Sequence, residues 1–173
     1  IPVGILIAIF AVAYSTGPYP LSHHGLGDIA VVIFFGIVPV MFTAFVQTGS
    51  WEMLEAGLPV SVGIGLLSSN VLVVNNYRDM DDDKSVGKHT TVVIFGRKKM
   101  AAVYLASGIA GILLITSPFY FLSSHYLAAA IMTILYSAAH ITIWNRLRHN
   151  TGSRLNPLLA VSYTHLRAHE TLA

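Results

Sequence analysis

The sequence has very few charged residues and no cysteine. Asp, Glu, Lys and Arg make up 10% of its 173 residues, well below the roughly 25% that is typical of soluble domains. The absence of cysteine excludes disulfide bonds and thiolate metal sites. Three long stretches, residues 29–51, 56–77 and 100–145, contain no charged residue at all. Because about 20 apolar residues cross a bilayer, the sequence predicts an all-α, multi-pass membrane protein.

The uncharged stretches predict a transmembrane bundle of about five helices. Residues 100–145 are long enough for two crossings, with a turn near Pro118 and His125, and the shorter apolar segment 1–14 adds a helix. The first residue is Ile1 rather than Met, and no basic leader of a signal peptide follows. We therefore expect residues 1–160 to be a fragment of a larger transmembrane protein.

The last thirteen residues differ in character from the rest of the chain. Residues 161–173 read VSYTHLRAHETLA, a polar stretch that interrupts an apolar run begun at Pro157. We expect this tail to be non-native and exclude it from the fold prediction, as with any cloning scar.

Basic residues are distributed unequally between the two sides of the predicted bundle. The loops at residues 47–55 and 122–126 contain no Lys or Arg, whereas nine basic residues follow the third and fifth helices. They are Arg78, Lys84, Lys88, Arg97, Lys98, Lys99, Arg146, Arg148 and Arg154. By the positive-inside rule, these segments and the loop at residues 15–27 face the cytoplasm at the cell membrane. A net charge of only +2, placed at membrane edges, argues against a nucleic-acid partner.

Half of the acidic residues lie in one segment at the end of an apolar helix. Residues 75–91 read NNYRDMDDDKSVGKHTT and contain four of the chain's eight Asp and Glu. On a continuous helix, Asn76, Asp79 and Asp83 fall within an arc of roughly 60°. Their oxygens suit a hard divalent cation such as Mg²⁺, which completes its shell with water and phosphate oxygens. The segment therefore predicts a site for a metal-bridged diphosphate.

Two other interpretations of the acidic segment agree less well with its residues. The spacing of Asp79, Asp81 and Asp83 matches the start of a calcium-binding EF-hand, but Lys84 replaces the required Gly and Thr90 the required Glu. An ordinary solvated loop is the plainer alternative. Neighbouring cations argue for a site, because Arg and Lys neutralise phosphate oxygens that a metal does not reach.

The extended motif NNYRDMDDDKSVGKHTTVVIFG is similar to the second Asp-rich motif of the UbiA superfamily of intramembrane prenyltransferases. Its Asn-Asn-x-Arg-Asp form is most like the 1,4-dihydroxy-2-naphthoate polyprenyltransferase branch of menaquinone biosynthesis. Residues 14–36, which include GPYPLSHHGLGDIAVVIFFG, resemble the segment before the next helix in the same branch. The resemblance covers residues 1–160.

The resemblance implies a set of metal ligands. By matched position, Asn76, Asp79 and Asp83 bind Mg²⁺, directly or through water, and the two aspartates are the catalytic pair. The family has a first Asp-rich motif on an earlier helix, which this sequence does not contain. We therefore expect the fragment to hold half of a metal site and to be inactive alone.

The resemblance also implies the substrate-binding residues. Arg78, Lys84 and Lys88 are the candidates for binding the diphosphate. The loop with Tyr14, Tyr19, His23, His24 and Asp28 is expected on the same side, where it caps the site or contacts the acceptor. We rank Asp28 first in this loop, although helix capping is a plain alternative.

The implied reaction is transfer of a polyprenyl group from an allylic diphosphate to an aromatic acceptor within the lipid bilayer. The branch implies 1,4-dihydroxy-2-naphthoate as the acceptor; 4-hydroxybenzoate, haem or a chlorophyll precursor are alternatives within the superfamily. A membrane transporter is an alternative outside it, because intramembrane charges mark ion pathways. The helix interiors lack such charges, which argues against a proton relay.

Overall fold

The computed structural model describes residues 2–16, 20–50, 54–121 and 125–159. Within these ranges the chain is all-α, with no strand, and this confirms the predicted fold class. The predicted tail, residues 161–173, lies outside the described residues.

The described residues form eight α-helices. The first is α1 (Pro2–Ser15), and a 3₁₀ turn at Leu21–His23 precedes the second. The helices that follow are α2 (Gly27–Val31), α3 (Val38–Thr48), α4 (Leu54–Arg78), α5 (Met80–Ser85), α6 (Thr91–Phe95), α7 (Arg97–Phe121) and α8 (Tyr126–His149). A π-helical segment, Val32–Ile37, joins α2 to α3, and a 3₁₀ turn, Gly152–Leu155, follows α8.

Four helical stretches are long and apolar enough to cross a membrane. They are Gly27–Thr48, Gly57–Arg78, Arg97–Tyr120 and Tyr126–His149. Large apolar side chains cover the outward face of α8, including Leu127, Ile131 and Leu135. Such a surface is stable against lipid but not against water. The fifth predicted segment is helical, but the 14 residues of α1 are fewer than a crossing needs.

The π-helical segment brings two backbones into direct contact. A Cβ on Gly36 would lie 2.5 Å from both the Gly65 Cα and the Ser61 carbonyl oxygen of α4. A Cβ on Gly65 would lie 2.6 Å from the Val32 carbonyl oxygen. The wide turn precedes Pro39, which has no N–H for a regular helix bond. Glycine on both helices is therefore what permits this packing.

Helices α4 and α7 also meet at glycines. A Cβ on Gly63 would lie 2.7 Å from the Gly111 carbonyl oxygen, and Ser107 Oγ lies 2.7 Å from Asn70 Oδ1 of α4. Ser107 and Gly111, which are four residues apart on α7, therefore face α4. Ala102 and Ala106, also four residues apart on α7, are exposed.

A cluster of buried apolar side chains lies where α4 and α8 end and α7 begins. Val74, Val92, Leu147 and Leu155 are almost completely buried there. Burying each such side chain stabilises the fold by about 1.5–3 kcal/mol relative to exposure. This cluster anchors both ends of the acidic segment to the bundle.

Candidate functional site

The acidic segment is bent rather than one continuous helix. Helix α4 ends at Arg78, and α5 begins at Met80. Asp79 lies between them with φ −93° and ψ 8°. Two backbone hydrogen bonds keep a helical spacing across the bend, from Asp79 N to Asn75 O at 3.0 Å and from Asp83 N to Asp79 O at 2.8 Å. The expectation of an unbroken helix is therefore wrong at Asp79.

Asp79 is paired with the arginine that precedes it. Arg78 Nε lies 2.6 Å from Asp79 Oδ1, and Arg78 Nη2 lies 2.7 Å from Asp79 Oδ2. The same Nη2 donates to Asn75 Oδ1 at 2.8 Å. Both carboxylate oxygens of Asp79 thus have a charge-assisted partner.

Asp83 is buried and has one oxygen available. Lys88 Nζ lies 3.1 Å from Asp83 Oδ1, and the Lys88 backbone N–H donates to the Asp83 carbonyl at 2.8 Å. Asp83 Oδ2 is buried without a hydrogen-bond partner among the described residues. A buried carboxylate oxygen without a partner is costly unless a ligand or cation binds it.

A polar cavity of about 250 Å³ lies beside this segment. Its polar lining includes Tyr14, Asp28, Asn75, Asn76, Lys88 and Thr91. The structure therefore brings three predicted site residues, Asp28, Asn76 and Lys88, to one cavity. Asp83 reaches the cavity only through its ion pair with Lys88. Arg78, Asp79 and the exposed Lys84 do not line it.

Two loops that are distant in the sequence are bonded together at the cavity. Thr91 Oγ1 donates to Asp28 Oδ2 at 2.5 Å, and the His89 backbone N–H donates to the His23 carbonyl at 2.9 Å. Gly25 has a φ of +72°, and a Cβ there would lie 2.8 Å from Ile94 Cδ1. The described part of this loop, residues 20–27, therefore lies against the acidic segment, on the side that the sequence predicts.

Three cavity residues have roles that the sequence reasoning missed or left undecided. Thr90 is buried at the start of α6, and its hydroxyl accepts a hydrogen bond from Val93 N at 3.4 Å. The Thr91 hydroxyl donates a hydrogen bond to Asp28. The position of Thr90 directly before a short apolar helix is an N-cap signal that the sequence does contain. Burial and the nearby Asp28 carboxylate both raise the pKa of the Tyr14 phenol, so Tyr14 stays neutral and able to donate at pH 7.

The residues present fit a Mg²⁺ ion in part. Asp83 Oδ2 is an unpartnered carboxylate oxygen, and Asn76 supplies a buried amide at the cavity. Both are oxygen donors of the kind that Mg²⁺ prefers. Within the described ranges, however, no group of three or more His, Cys, Asp or Glu lies close enough to hold a metal. The described residues therefore offer oxygen donors but not a complete set of metal ligands.

The sequence as a whole matches a known family. The sequence profile of the UbiA prenyltransferase family matches residues 1–163. The chain belongs to the UbiA prenyltransferase family. This membership confirms the predicted superfamily, and it agrees with the membrane-spanning helices of the fold.

Several relatives of this UbiA chain are named 1,4-dihydroxy-2-naphthoate octaprenyltransferase. The protein from Haemophilus influenzae is 43% identical over 96 residues, which is 56% of this chain and 30% of the relative. The protein from Escherichia coli is 39% identical over 93 residues, 54% of this chain and 30% of the relative. The protein from Mycobacterium leprae is 34% identical over 121 residues, 68% of this chain and 40% of the relative.

The aligned region thus spans 30% to 40% of the length of these relatives. No solved structure matches the chain.

Proposed function

We propose that the natural full-length protein transfers a polyprenyl group from an allylic diphosphate to 1,4-dihydroxy-2-naphthoate in menaquinone biosynthesis. One observation carries this proposal. A polar cavity lined by a cation, a carboxylate and amide groups lies at the end of helices that are long and apolar enough to cross a membrane. The names of the relatives support 1,4-dihydroxy-2-naphthoate as the acceptor.

The leaving diphosphate requires positive charge. As the allylic carbon–oxygen bond breaks, negative charge develops on the diphosphate, and preorganised cations stabilise it. Lys88 is the best placed of the predicted cations, because it lines the cavity while paired with Asp83. Arg78 can join it by turning away from Asp79. Lys84 is exposed outside the cavity wall and contributes least.

Asn76 and Asp83 are the residues of this chain that would hold a Mg²⁺ ion. Asp79 would be a third ligand if Arg78 released its carboxylate. A bound Mg²⁺ would supply further charge stabilisation to the diphosphate oxygens. Water and phosphate oxygens, with which Mg²⁺ commonly completes its shell, would supply further ligands.

The apolar bundle provides the conditions for the prenyl group. An allylic cation is trapped by water, so it must form in a site from which water is excluded. The four apolar spans exclude water, and their lipid-facing sides suit a long isoprenoid tail. We place the cavity on the cytoplasmic side of the cell membrane, in keeping with the nine basic residues on the same side.

The test is an acceptor comparison with the purified full-length protein. It would be supplied with a polyprenyl diphosphate, Mg²⁺ and one acceptor at a time, and the prenylated product would be measured. We expect product from 1,4-dihydroxy-2-naphthoate, loss of turnover on chelation, and recovery when Mg²⁺ is restored. Product only from 4-hydroxybenzoate or another acceptor would refute the branch assignment, and full turnover under chelation would refute the metal role.

A further inference from the structure

One oxygen of Asp28 is buried in the cavity wall without a partner. Thr91 Oγ1 donates to Asp28 Oδ2, whereas Asp28 Oδ1 is buried and has no hydrogen-bond partner among the described residues. An ionised carboxylate only accepts hydrogen bonds, so this oxygen requires a donor. Leaving it unpaired costs free energy that a bound donor would recover.

Helix capping does not account for this carboxylate. Asp28 lies in the first turn of α2, but the N-cap residue is Leu26 and no side-chain cap hydrogen bond forms there. The side-chain hydrogen bond that Asp28 does form reaches Thr91, 63 positions away in the sequence. That bond fixes the carboxylate between two loops, in the wall of the cavity.

The two substrates of the proposed reaction present different groups to this oxygen. A diphosphate presents acceptor oxygens and negative charge, and a carboxylate repels both unless a cation lies between them. A hydroxylated aromatic ring presents O–H donors. The cavity volume of about 250 Å³ lies below the roughly 300–1,000 Å³ of drug-sized ligand sites, so it suits a small ring system better than a polyprenyl chain.

We propose that Asp28 Oδ1 accepts a hydrogen bond from a ring hydroxyl of the aromatic acceptor and thereby selects hydroxylated acceptors. The inference rests on the proposed prenyl transfer and names the residue that recognises its second substrate. Lys88, in the same cavity wall, marks the part that receives anionic groups. Asp28 is thus a specificity-determining residue, and Thr91 is the residue that positions it.

The test measures equilibrium binding of 1,4-dihydroxy-2-naphthoate and, separately, of a polyprenyl diphosphate to the purified full-length protein. Asp28→Asn preserves the shape of the side chain but removes its charge and one acceptor oxygen. We expect the acceptor to bind about 10-fold or more weakly, as for the loss of a charge-assisted hydrogen bond. Affinity for the diphosphate should change less than about threefold.

Two control variants separate recognition from loop positioning. Asp82→Asn makes the same chemical change at an exposed carboxylate of α5, and it should bind both substrates as the wild type does. Thr91→Val removes the bond to Asp28 but keeps the carboxylate, so its effect on acceptor binding should be the smaller one. If Thr91→Val equals Asp28→Asn, the carboxylate only joins the loops and the inference is overturned.

A measurement on the wild-type protein keeps the inference testable if Asp28→Asn does not fold. Analogues of the acceptor that lack either hydroxyl should be compared with the parent compound, and one of them should bind about 10-fold or more weakly. Equal binding of all three compounds would overturn the inference while leaving prenyl transfer intact. A wild-type protein that binds no aromatic acceptor would overturn the proposed function as well.

Discussion

The middle of the bundle and its polar edge both contain buried polar side chains, but they differ in how those side chains are paired. In the middle, Asn70 Oδ1 lies 2.7 Å from Ser107 Oγ, and His140 Nε2 lies 3.0 Å from the Tyr104 carbonyl oxygen. At the edge, Asp28 and Asp83 each have a buried oxygen without a partner in the described chain. The paired groups hold helices together, whereas the unpaired carboxylate oxygens of Asp28 and Asp83 are candidates to bind a ligand.

The largest expected effect tests the unpaired oxygen of Asp83. Asp83→Asn, and likewise Asp79→Asn, should lower Mg²⁺-dependent prenyl transfer about 100- to 1,000-fold in the full-length protein, because charge stabilisation of the diphosphate is lost. Membrane insertion should be unchanged, since apolar helices determine it. Turnover at saturating Mg²⁺ and the amount of membrane-extracted protein are the measurements.

The exposed carboxylate of Asp82 provides the control for that experiment. Asp82→Asn should retain wild-type turnover, because this side chain points into solvent. Retained turnover in both Asp79→Asn and Asp83→Asn would show that neither residue is a ligand. The carboxylates at the edge would then only stabilise the fold, as the buried polar groups in the middle of the bundle do.

The second effect tests the interior contacts. Gly36→Ala would place a Cβ 2.5 Å from the backbone of α4, where no flexible side chain can yield. We expect a loss of about 1–3 kcal/mol or more in the free energy of unfolding, as for an overpacked core. Thermal unfolding in detergent measures it, and Gly4→Ala is the matched control because nothing lies within 4 Å of its added Cβ. A Gly36→Ala protein as stable as Gly4→Ala would contradict the close approach of the two helices.

A smaller loss is expected from the interior hydrogen bond. Ser107→Ala removes the partner of Asn70 Oδ1 and should lower the free energy of unfolding by about 1–2 kcal/mol. The double variant that also changes Asn70 to Ala should lose less than the sum of the two single changes, since both remove one interaction. Additive losses in chemical or thermal unfolding would show that these two side chains are not coupled.

The sequence was sufficient for the fold class and for part of the site. Uncharged stretches longer than a bilayer crossing dictate the helices, and Lys88 and Asn76 follow from one contiguous motif. The bend at Asp79 was not predictable, because the three- and four-residue spacings of Asn76, Asp79 and Asp83 are those of an uninterrupted helix. The pairing of Thr91 with Asp28 depends on how two loops pack, and residues 63 positions apart carry no local signal of contact.

The smallest expected effect distinguishes pairing from position. Thr90 lies at the polar edge and lines the cavity, but its hydroxyl is bonded to Val93 N at 3.4 Å. Because it has a partner, Thr90 should behave as the interior polar groups do. Thr90→Ala should lower the free energy of unfolding by about 0.5–1 kcal/mol through loss of the helix cap, and Thr90→Ser should restore it. A fall in acceptor affinity in Thr90→Ala that Thr90→Ser does not restore would mean that location at the edge, rather than an unpaired atom, identifies the binding residues.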